Sequence, residues 1–174
     1  MLHKLFAPKR SMAPVSSGGE IDIKALKEEA EQLYLQGDYY CSEAIVSVIR
    51  RYFAPDMPEQ AIAMASGFPV GIGGSMCTCG AVSGGVIALG YFFGRTKPKD
   101  SKVKKSMALS KELHDYFKDN HKVLCCKIHT KGIKLGSKDH MAKCAMFTGE
   151  IAAKTAEIIA RELGRPIKNH QLML

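Results

Sequence analysis

Apolar residues recur at steps of three and four along most of the chain, which is the spacing of one face of an α-helix. Glycine and proline stand where these runs stop, as at Gly37, Pro55 and Gly164. No segment of useful length alternates apolar and polar residues as a half-buried strand does. We therefore predict an all-α fold, a single bundle of five or six helices. The predicted helices cover about 23–36, 41–54, 58–65, 79–94, 105–121 and 139–163.

The run 79–94 carries almost no polar side chain, which predicts the central helix of the bundle. Gly80, Gly84 and Ala88 recur on one of its faces, so the backbone of a neighbouring helix can approach closely there. Exposed on the surface, the same small residues would allow a homodimer contact. A glycine-rich loop, GFPVGIGGSMCTCG, precedes this helix.

The length of 174 residues suits one domain with a sizeable core. Residues 1–19 are predicted to be a flexible tail, since they lack the continuous apolar core of a signal peptide, and 20–174 the helical, cysteine-containing redox domain. Residues 60–94 are free of charge, but glycines and Pro69 interrupt them too often for a membrane span. These features predict a cytoplasmic protein without a membrane segment.

The net charge of +8 is concentrated in one part of the chain. Between Arg95 and Lys143 there are fourteen Lys and Arg residues against five Asp and Glu. A solvated lysine-rich surface without a specific role accounts for this excess. The more specific alternative is a face that binds an acidic protein. A non-catalytic binding module using this basic 95–143 face is therefore one hypothesis. No nucleic-acid-binding signature accompanies the charge, so we expect no nucleic acid partner.

The six cysteines are too few for a disulfide scaffold in a chain of this length. Cys41, Cys79 and Cys144 each lie near the amino end of a predicted helix, on its inward stripe. The helix dipole favours a thiolate at such a position and would lower the thiol pKa. Cys125 and Cys126 lie in a connecting segment that could close the same end of the bundle. Inert burial is the alternative, because free cysteines are often buried.

The order of these cysteines resembles that of a known family. Cys79-Gly80-Ala81-Val82-Ser83-Gly84 is a CGAxxG hexapeptide, Gly37 to Ala44 contains an upstream Cys41, and Cys125-Cys126 and Cys144 follow downstream. Over about residues 25–162 the chain resembles the C_GCAxxG_C_C family of redox-active bacterial and archaeal proteins. The resemblance implies four characteristic cysteines: Cys41, Cys79, one of Cys125 and Cys126, and Cys144.

We favour Cys125 as the third member of this set, because Ile128 then takes the aliphatic position three residues on. Cys77 and the remaining loop cysteine are additions to the family pattern. Four thiolates can hold an iron–sulfur cluster, and dispersed ligands on rigid helices suit a cluster better than zinc. The first hypothesis is therefore a redox protein that holds a cluster, with [2Fe–2S] favoured, and transfers electrons. Its ligands would be Cys41, Cys79, Cys125 and Cys144, with Cys126 and Cys77 as substitutes.

Backbone amides of the glycine-rich loop are expected to shape and shield the cofactor, with Gly73, Gly74 and Gly80 as the candidate positions. The redox partner is expected to be a separate protein, and the basic charge favours an acidic one.

Dithiol–disulfide exchange is the second redox hypothesis, and it would make the protein an oxidoreductase. Cys77 and Cys79 form a C-x-C pair, in which an activated Cys79 would attack and a neighbouring thiol would resolve. His129 and His140 flank the cysteine segments. In a chain with this many polar loops they are more typical of surface or capping residues than of ligands.

Overall fold

The computed structural model describes residues 19–168, and within them it contains seven helices and no strand. The all-α prediction is confirmed, with five long helices that begin and end close to the expected residues. The segment predicted over 58–65 is α-helical for a single turn, and a second single turn lies in the segment that showed no helical pattern. The helices are α1 (Ile23–Leu35), α2 (Cys41–Phe53), α3 (Gln60–Ala63), α4 (Gly80–Phe93), α5 (Lys102–His121), α6 (Cys126–His129) and α7 (Lys138–Leu163).

Local side-chain chemistry accounts for several helix ends. The Asp22 carboxylate accepts a hydrogen bond from the Ala25 amide at the start of α1, and Ser137 accepts one from the His140 amide at the start of α7. Gly164 ends α7 with a left-handed φ of 64°. The residue that caps α2 is Tyr40, whose backbone N–H donates to the Glu43 carboxylate at 2.9 Å.

Helix α4 lies at the centre of the bundle and packs against α2, α5 and α7. A Cβ at Gly84 would lie 2.6 Å from the backbone oxygen of Ser42, so α2 and α4 approach as closely as their backbones allow. Gly80, Gly84 and Ala88 are buried. This face is therefore occupied by the chain's own helices, and the reason for expecting a homodimer contact there is removed.

Contacts along α2 and α4 show that the two helices run in the same direction. A Cβ at Gly80 would lie 2.5 Å from the Cys41 sulfur at the start of α2. At the other end, the rings of Phe53 and Phe92 pack edge to face with their centroids 6.3 Å apart. The amino ends of both helices, and with them Cys41 and Cys79, therefore lie at one end of the bundle.

Helix α5 runs back along α4. Lys105, near its start, lies over the ring of Phe93 at the end of α4, so the start of α5 is at the opposite end of the bundle from Cys79. Twenty helical residues span about 30 Å. The basic residues of 97–105 and those of 122–143 are thus at opposite ends of α5, and the predicted 95–143 surface is divided into two.

The predicted tail, 1–19, falls outside the described residues except for Gly19. Of the helices in the described part of the chain, none combines the length and the apolar character that crossing a membrane requires.

Candidate functional site

Four cysteine sulfurs line one cavity at the end of the bundle where α2 and α4 begin. The cavity is small, about 30 Å³, and its lining is almost entirely apolar apart from sulfur. No Lys, Arg, Asp or Glu contributes to it. The residues that matter for its chemistry are Cys41, Cys79, Cys126, Cys144, Tyr34 and His140.

Each sulfur comes from a different helix or helix cap. Cys41 is the first residue of α2, Cys79 is the N-cap of α4, and Cys126 is the first residue of α6. Cys144 lies in the second turn of α7, deeper than its predicted place near the helix end. The structure thus brings four distant cysteines to one cavity, and Cys126 of α6, one of the predicted substitutes, lies where Cys125 was expected.

Backbone hydrogen bonds fasten the glycine-rich loop to the segment that contains α6. The Cys79 amide donates to the Leu124 carbonyl at 2.7 Å, and the Lys127 amide donates to the Met76 carbonyl at 3.0 Å. Because these bonds lie on both sides of Cys126, they hold its sulfur against the start of α4.

Cys79 and Cys126 share a hydrogen bond that raises the pKa of Cys79 and lowers the pKa of Cys126. Cys79 is buried, and its hydrogen bond to Cys126 together with burial raises the pKa of Cys79 well above that of an ordinary thiol. In its thiol form Cys126 itself donates to the Thr78 carbonyl, which lies 3.8 Å from the sulfur. The bond with Cys79, joined by the amides of Gly80 and of Cys126 itself, lowers the pKa of Cys126 to about 7. The pair is therefore a thiolate at Cys126 supported by a thiol at Cys79.

At Cys41, burial has the largest effect on the pKa of the thiol. Removal from water, reinforced by the nearby Cys144, raises the pKa of Cys41 to about 12, although the amides of Val70 and Ser42 partly oppose this effect. The expectation that the helix amino ends would lower the pKa of Cys41, Cys79 and Cys144 is thus wrong. Desolvation outweighs the dipole at Cys41 and Cys144, and the donated hydrogen bond outweighs it at Cys79.

Cys144 lies between two side chains that the sequence reasoning did not assign to the site. Burial raises the pKa of Cys144, and a hydrogen bond from the Tyr34 hydroxyl partly opposes that. His140 Nε2 is 3.7 Å from the Cys144 sulfur, while His140 Nδ1 accepts a hydrogen bond from the Gly136 amide. The neutral His140 ring therefore carries its proton on Nε2, facing the sulfur. His140 is buried, and is not the surface residue that its surroundings in the sequence suggested.

Of the remaining predicted residues, Gly80 alone lines the cavity. The preference for Cys125 over Cys126 is corrected, because the Cys125 sulfur donates to the Met76 carbonyl at 3.4 Å and does not line the cavity. Cys77 is exposed, so the C-x-C pair has one sulfur outside and one inside. Of the three loop glycines, Gly80 lines the cavity, whereas Gly73 and Gly74 lie away from it.

The described residues contain no arrangement of side chains suited to a single metal ion. Within residues 19–168, no group of three or more His, Cys, Asp or Glu side chains is placed so that it could hold one ion. The four cysteines nevertheless border the same cavity.

The loop that borders the cavity has a strained backbone. Val70, Ile72 and Met76 have φ values of 54°, 52° and 65°, in the left-handed region that side chains disfavour. Strain of this kind, about 1–2 kcal/mol per residue, persists where surrounding contacts enforce it and is concentrated at functional sites. Val70 and Met76 line the cavity, so the strained positions belong to the site.

Sequence reasoning missed Tyr34, Met76 and His140 among the lining residues. Tyr34 is on α1, which contains no cysteine, and no local motif marks it. His140 carried a usable signal, since it precedes Cys144 by one helical turn and shares its face.

Comparison with known proteins agrees with the resemblance seen in the sequence. No curated protein and no solved structure matches the chain. The profile of a family described as "Putative redox-active protein (C_GCAxxG_C_C)" matches residues 39–158, which is more than half of the chain and includes all four cavity cysteines. The chain belongs to the C_GCAxxG_C_C family of redox-active cysteine proteins.

Proposed function

We propose that the protein is a thiol–disulfide oxidoreductase in which Cys126 is the attacking thiol and Cys79 the resolving thiol. The supporting observation is that Cys79 and Cys126 line one otherwise apolar cavity and are held there by backbone hydrogen bonds on both sides of Cys126. Their interaction also lowers the pKa of Cys126. Thiolates are the nucleophiles of disulfide exchange, and the optimal attacking thiol has a pKa near the ambient pH. Cys126 fits this requirement, whereas Cys79, which the sequence favoured as the attacking thiol, does not.

The reaction balances with the two cysteines alone. The Cys126 thiolate attacks one sulfur of a substrate disulfide, forms a mixed disulfide and releases the other substrate sulfur as a thiolate. Cys79 then attacks the Cys126 sulfur and gives its proton to the departing second thiolate. The substrate gains two electrons, and the protein is left with a Cys79–Cys126 disulfide, which an external dithiol reductant returns to the starting state.

Alkylation across pH, followed by peptide mapping, tests the proposal. We expect Cys126 to react with iodoacetamide with a midpoint near pH 7, and one disulfide, between Cys79 and Cys126, to form when the protein reduces a model disulfide. A Cys77→Ser variant is the matched control, because that thiol is exposed and outside the cavity. Titration of Cys126 as an ordinary thiol, or a product disulfide that omits it, would refute the assignment.

Iron–sulfur binding stays a prediction from the sequence. Its support is that four cysteines of the family pattern border one cavity. Among the described residues no group of three or more side chains is placed to hold a single ion. Anaerobic purification with iron and sulfide analysis tests it. Stoichiometric iron and sulfide, lost together in a Cys41→Ser variant, would replace the exchange mechanism with a cluster.

A further inference from the structure

The mouth of the sulfur cavity is bordered by a lysine-rich segment, residues 122–143. This segment contains six lysines and a single acidic residue, Asp139. It also supplies Cys126, Thr130, Leu135, His140 and Cys144 to the cavity lining. Four of the lysines immediately follow or precede one of those lining residues in the chain: Lys127, Lys131, Lys134 and Lys143.

These lysines are available for a partner. Lys122, Lys127, Lys131, Lys134 and Lys138 are exposed and Lys143 is partly so. Within the described part of the chain, none of the six forms an ion pair, although seven ion pairs elsewhere involve other lysines. No carboxylate of residues 19–168 is therefore paired with their positive charge.

The cavity interior and its rim have different chemistry. The interior has no Lys, Arg, Asp or Glu side chain, so the charges that could select a substrate lie mainly outside it. At the mouth, Tyr40 and Leu135 are 59% and 53% exposed, so an apolar contact area lies inside the lysine border. An apolar centre with a charged rim is the arrangement of protein–protein contact surfaces, in which the rim charges set partner choice and association rate.

We propose that the substrate of Cys126 is a disulfide in an acidic polypeptide segment, which docks on the cavity mouth through the lysines of residues 122–143. This inference rests on the proposed function and adds its substrate class. A polypeptide is the occupant because the exposed side chains of Tyr40 and Leu135 offer an apolar contact area beside the lysine-rich segment, which a small charged disulfide would leave uncovered. Charge complementarity defines its acidic character.

Charged peptide disulfides test the inference directly. Three disulfide-bonded peptides of equal length, with Glu, Gln or Lys beside the cystine, are reduced by the full chain under conditions in which Cys126 is a thiolate. We expect the acidic peptide to react roughly tenfold faster than the neutral one, with the advantage decreasing as salt is raised. Oxidised glutathione, a small anionic disulfide, is expected to react more slowly than the acidic peptide.

The two basic ends of α5 provide a matched pair of variants. Lys127→Gln, Lys131→Gln and Lys134→Gln remove three charges at the cavity, and Lys97→Gln, Lys102→Gln and Lys104→Gln remove three at the far end. The far group is separated from the cavity by the length of α4, about 20 Å, well beyond the screening length of about 8 Å. The ratio of acidic to neutral peptide rates is expected to fall several-fold in the first variant and to stay constant in the second.

Each outcome bears on a specific claim. An equal fall in both variants, or no fall in either, overturns the docking surface while leaving the thiol chemistry intact. Faster reduction of oxidised glutathione than of the acidic peptide overturns the polypeptide as occupant. If the neutral peptide is not reduced at all, the proposed function fails and the inference fails with it.

Discussion

At the scale of single residues, the chemistry of the site depends on which of two interacting thiols, Cys79 or Cys126, keeps its proton. Cys79 is buried at the cap of α4 and keeps its proton, while Cys126, at the start of α6, gives up its own near pH 7. The hydrogen bond from Cys79 is the largest of the effects that lower the pKa of Cys126. Removing that one donor should therefore change the chemistry of the other residue.

Two variants, Cys79→Ala and Cys79→Ser, distinguish the effect of the hydrogen-bond donor at position 79 from the effect of the sulfur atom. The alanine variant removes the hydrogen bond, so the pKa of Cys126 should rise towards that of an ordinary thiol, and its alkylation midpoint should move up from about 7. The serine variant retains a hydroxyl donor and should keep the midpoint low. Iodoacetamide kinetics at Cys126 measure both. The same midpoint in the two variants would show that the donor is irrelevant.

A similar prediction concerns the hydrogen bond from Tyr34 to Cys144. Its hydroxyl donates to the Cys144 sulfur and lowers a pKa that burial raises, so Tyr34→Phe should raise the pKa of Cys144 further. The pH at which Cys144 is half-alkylated should increase, as peptide mapping would show. Tyr116→Phe is the control, since that hydroxyl interacts with Glu150 outside the cavity. A shift in the control of equal size would indicate a general loosening of the fold.

At the scale of helices, glycines set the distance between α2 and α4 and so place Cys41 beside α4. Gly80 leaves room for the Cys41 sulfur, and Gly84 leaves room for the Ser42 backbone. The helices carry the cysteines, so their separation decides whether the sulfurs share one cavity.

Gly84→Ala tests this packing. The added methyl group would lie 2.6 Å from the Ser42 carbonyl oxygen, and the helices would have to separate. We expect a loss of about 1–3 kcal/mol in the free energy of unfolding, as in other overpacked cores. Gly90→Ala is the matched control on the same helix, because a Cβ there meets no atom within 4 Å. That variant should be neutral or more stable by up to about 1 kcal/mol. Urea unfolding measures both.

An ion pair joins α1 to α2 away from the cavity. Arg51 Nη1 lies 2.5 Å from Glu29 Oε1, and the Glu29 side chain is 3% exposed. Burial raises the pKa of Glu29, while Arg51 and a hydrogen bond from Tyr52 lower it. Without Arg51 the carboxylate would be buried and uncompensated.

Arg51→Leu should therefore destabilise the protein by about 3 kcal/mol at neutral pH. The sign of the pH dependence follows from the raised pKa of Glu29. A carboxyl whose folded pKa lies above its unfolded value destabilises the folded state when it ionises, so the deficit should shrink as pH falls through the raised pKa. Unfolding free energies at several pH values measure this. Adding Glu29→Gln should restore part of the loss, and a deficit that does not vary with pH would contradict the argument.

At the scale of the whole molecule, the two ends of the described fold are tied together. The Ile21 amide donates to the Pro166 carbonyl at 2.8 Å, and the Lys168 amide donates to the Ile21 carbonyl at 2.9 Å. Ile167 packs against the main core beside them. The chain thus closes on itself at the segment that leads into α1.

Two truncations test this closure. A chain that begins at Gly19 keeps every contact described here and should unfold at the same temperature as the full chain, which also tests the predicted tail. A chain that ends at Gly164 loses both backbone hydrogen bonds and Ile167, and should lose about 2 kcal/mol and about 4–8 °C in Tm. Calorimetry measures both, and equal stability of all three chains would show that the closure contributes nothing.

The helices and the order of the cysteines were predictable from the sequence because they depend on neighbours within a few residues. The apolar periodicity marks α1, α2, α4, α5 and α7, and Gly37, Pro55 and Gly164 mark where helices end. The placement of Cys79 at the cap of α4 needed nothing more than this local pattern. The single turn α6 was missed because four residues carry too little periodicity to be recognised.

The working chemistry of the cavity was decided by tertiary structure. Hydrogen bonds from the Cys79 and Lys127 amides to distant carbonyls turn Cys126 inward, while the Cys125 sulfur bonds to Met76. Burial, and not position on a helix, sets the proton affinity of Cys41. The sequence alone determined which helices form and in what order they carry sulfur. Which sulfur is the thiolate depended on contacts between residues far apart in the chain, because desolvation and hydrogen bonding act only once the helices have packed.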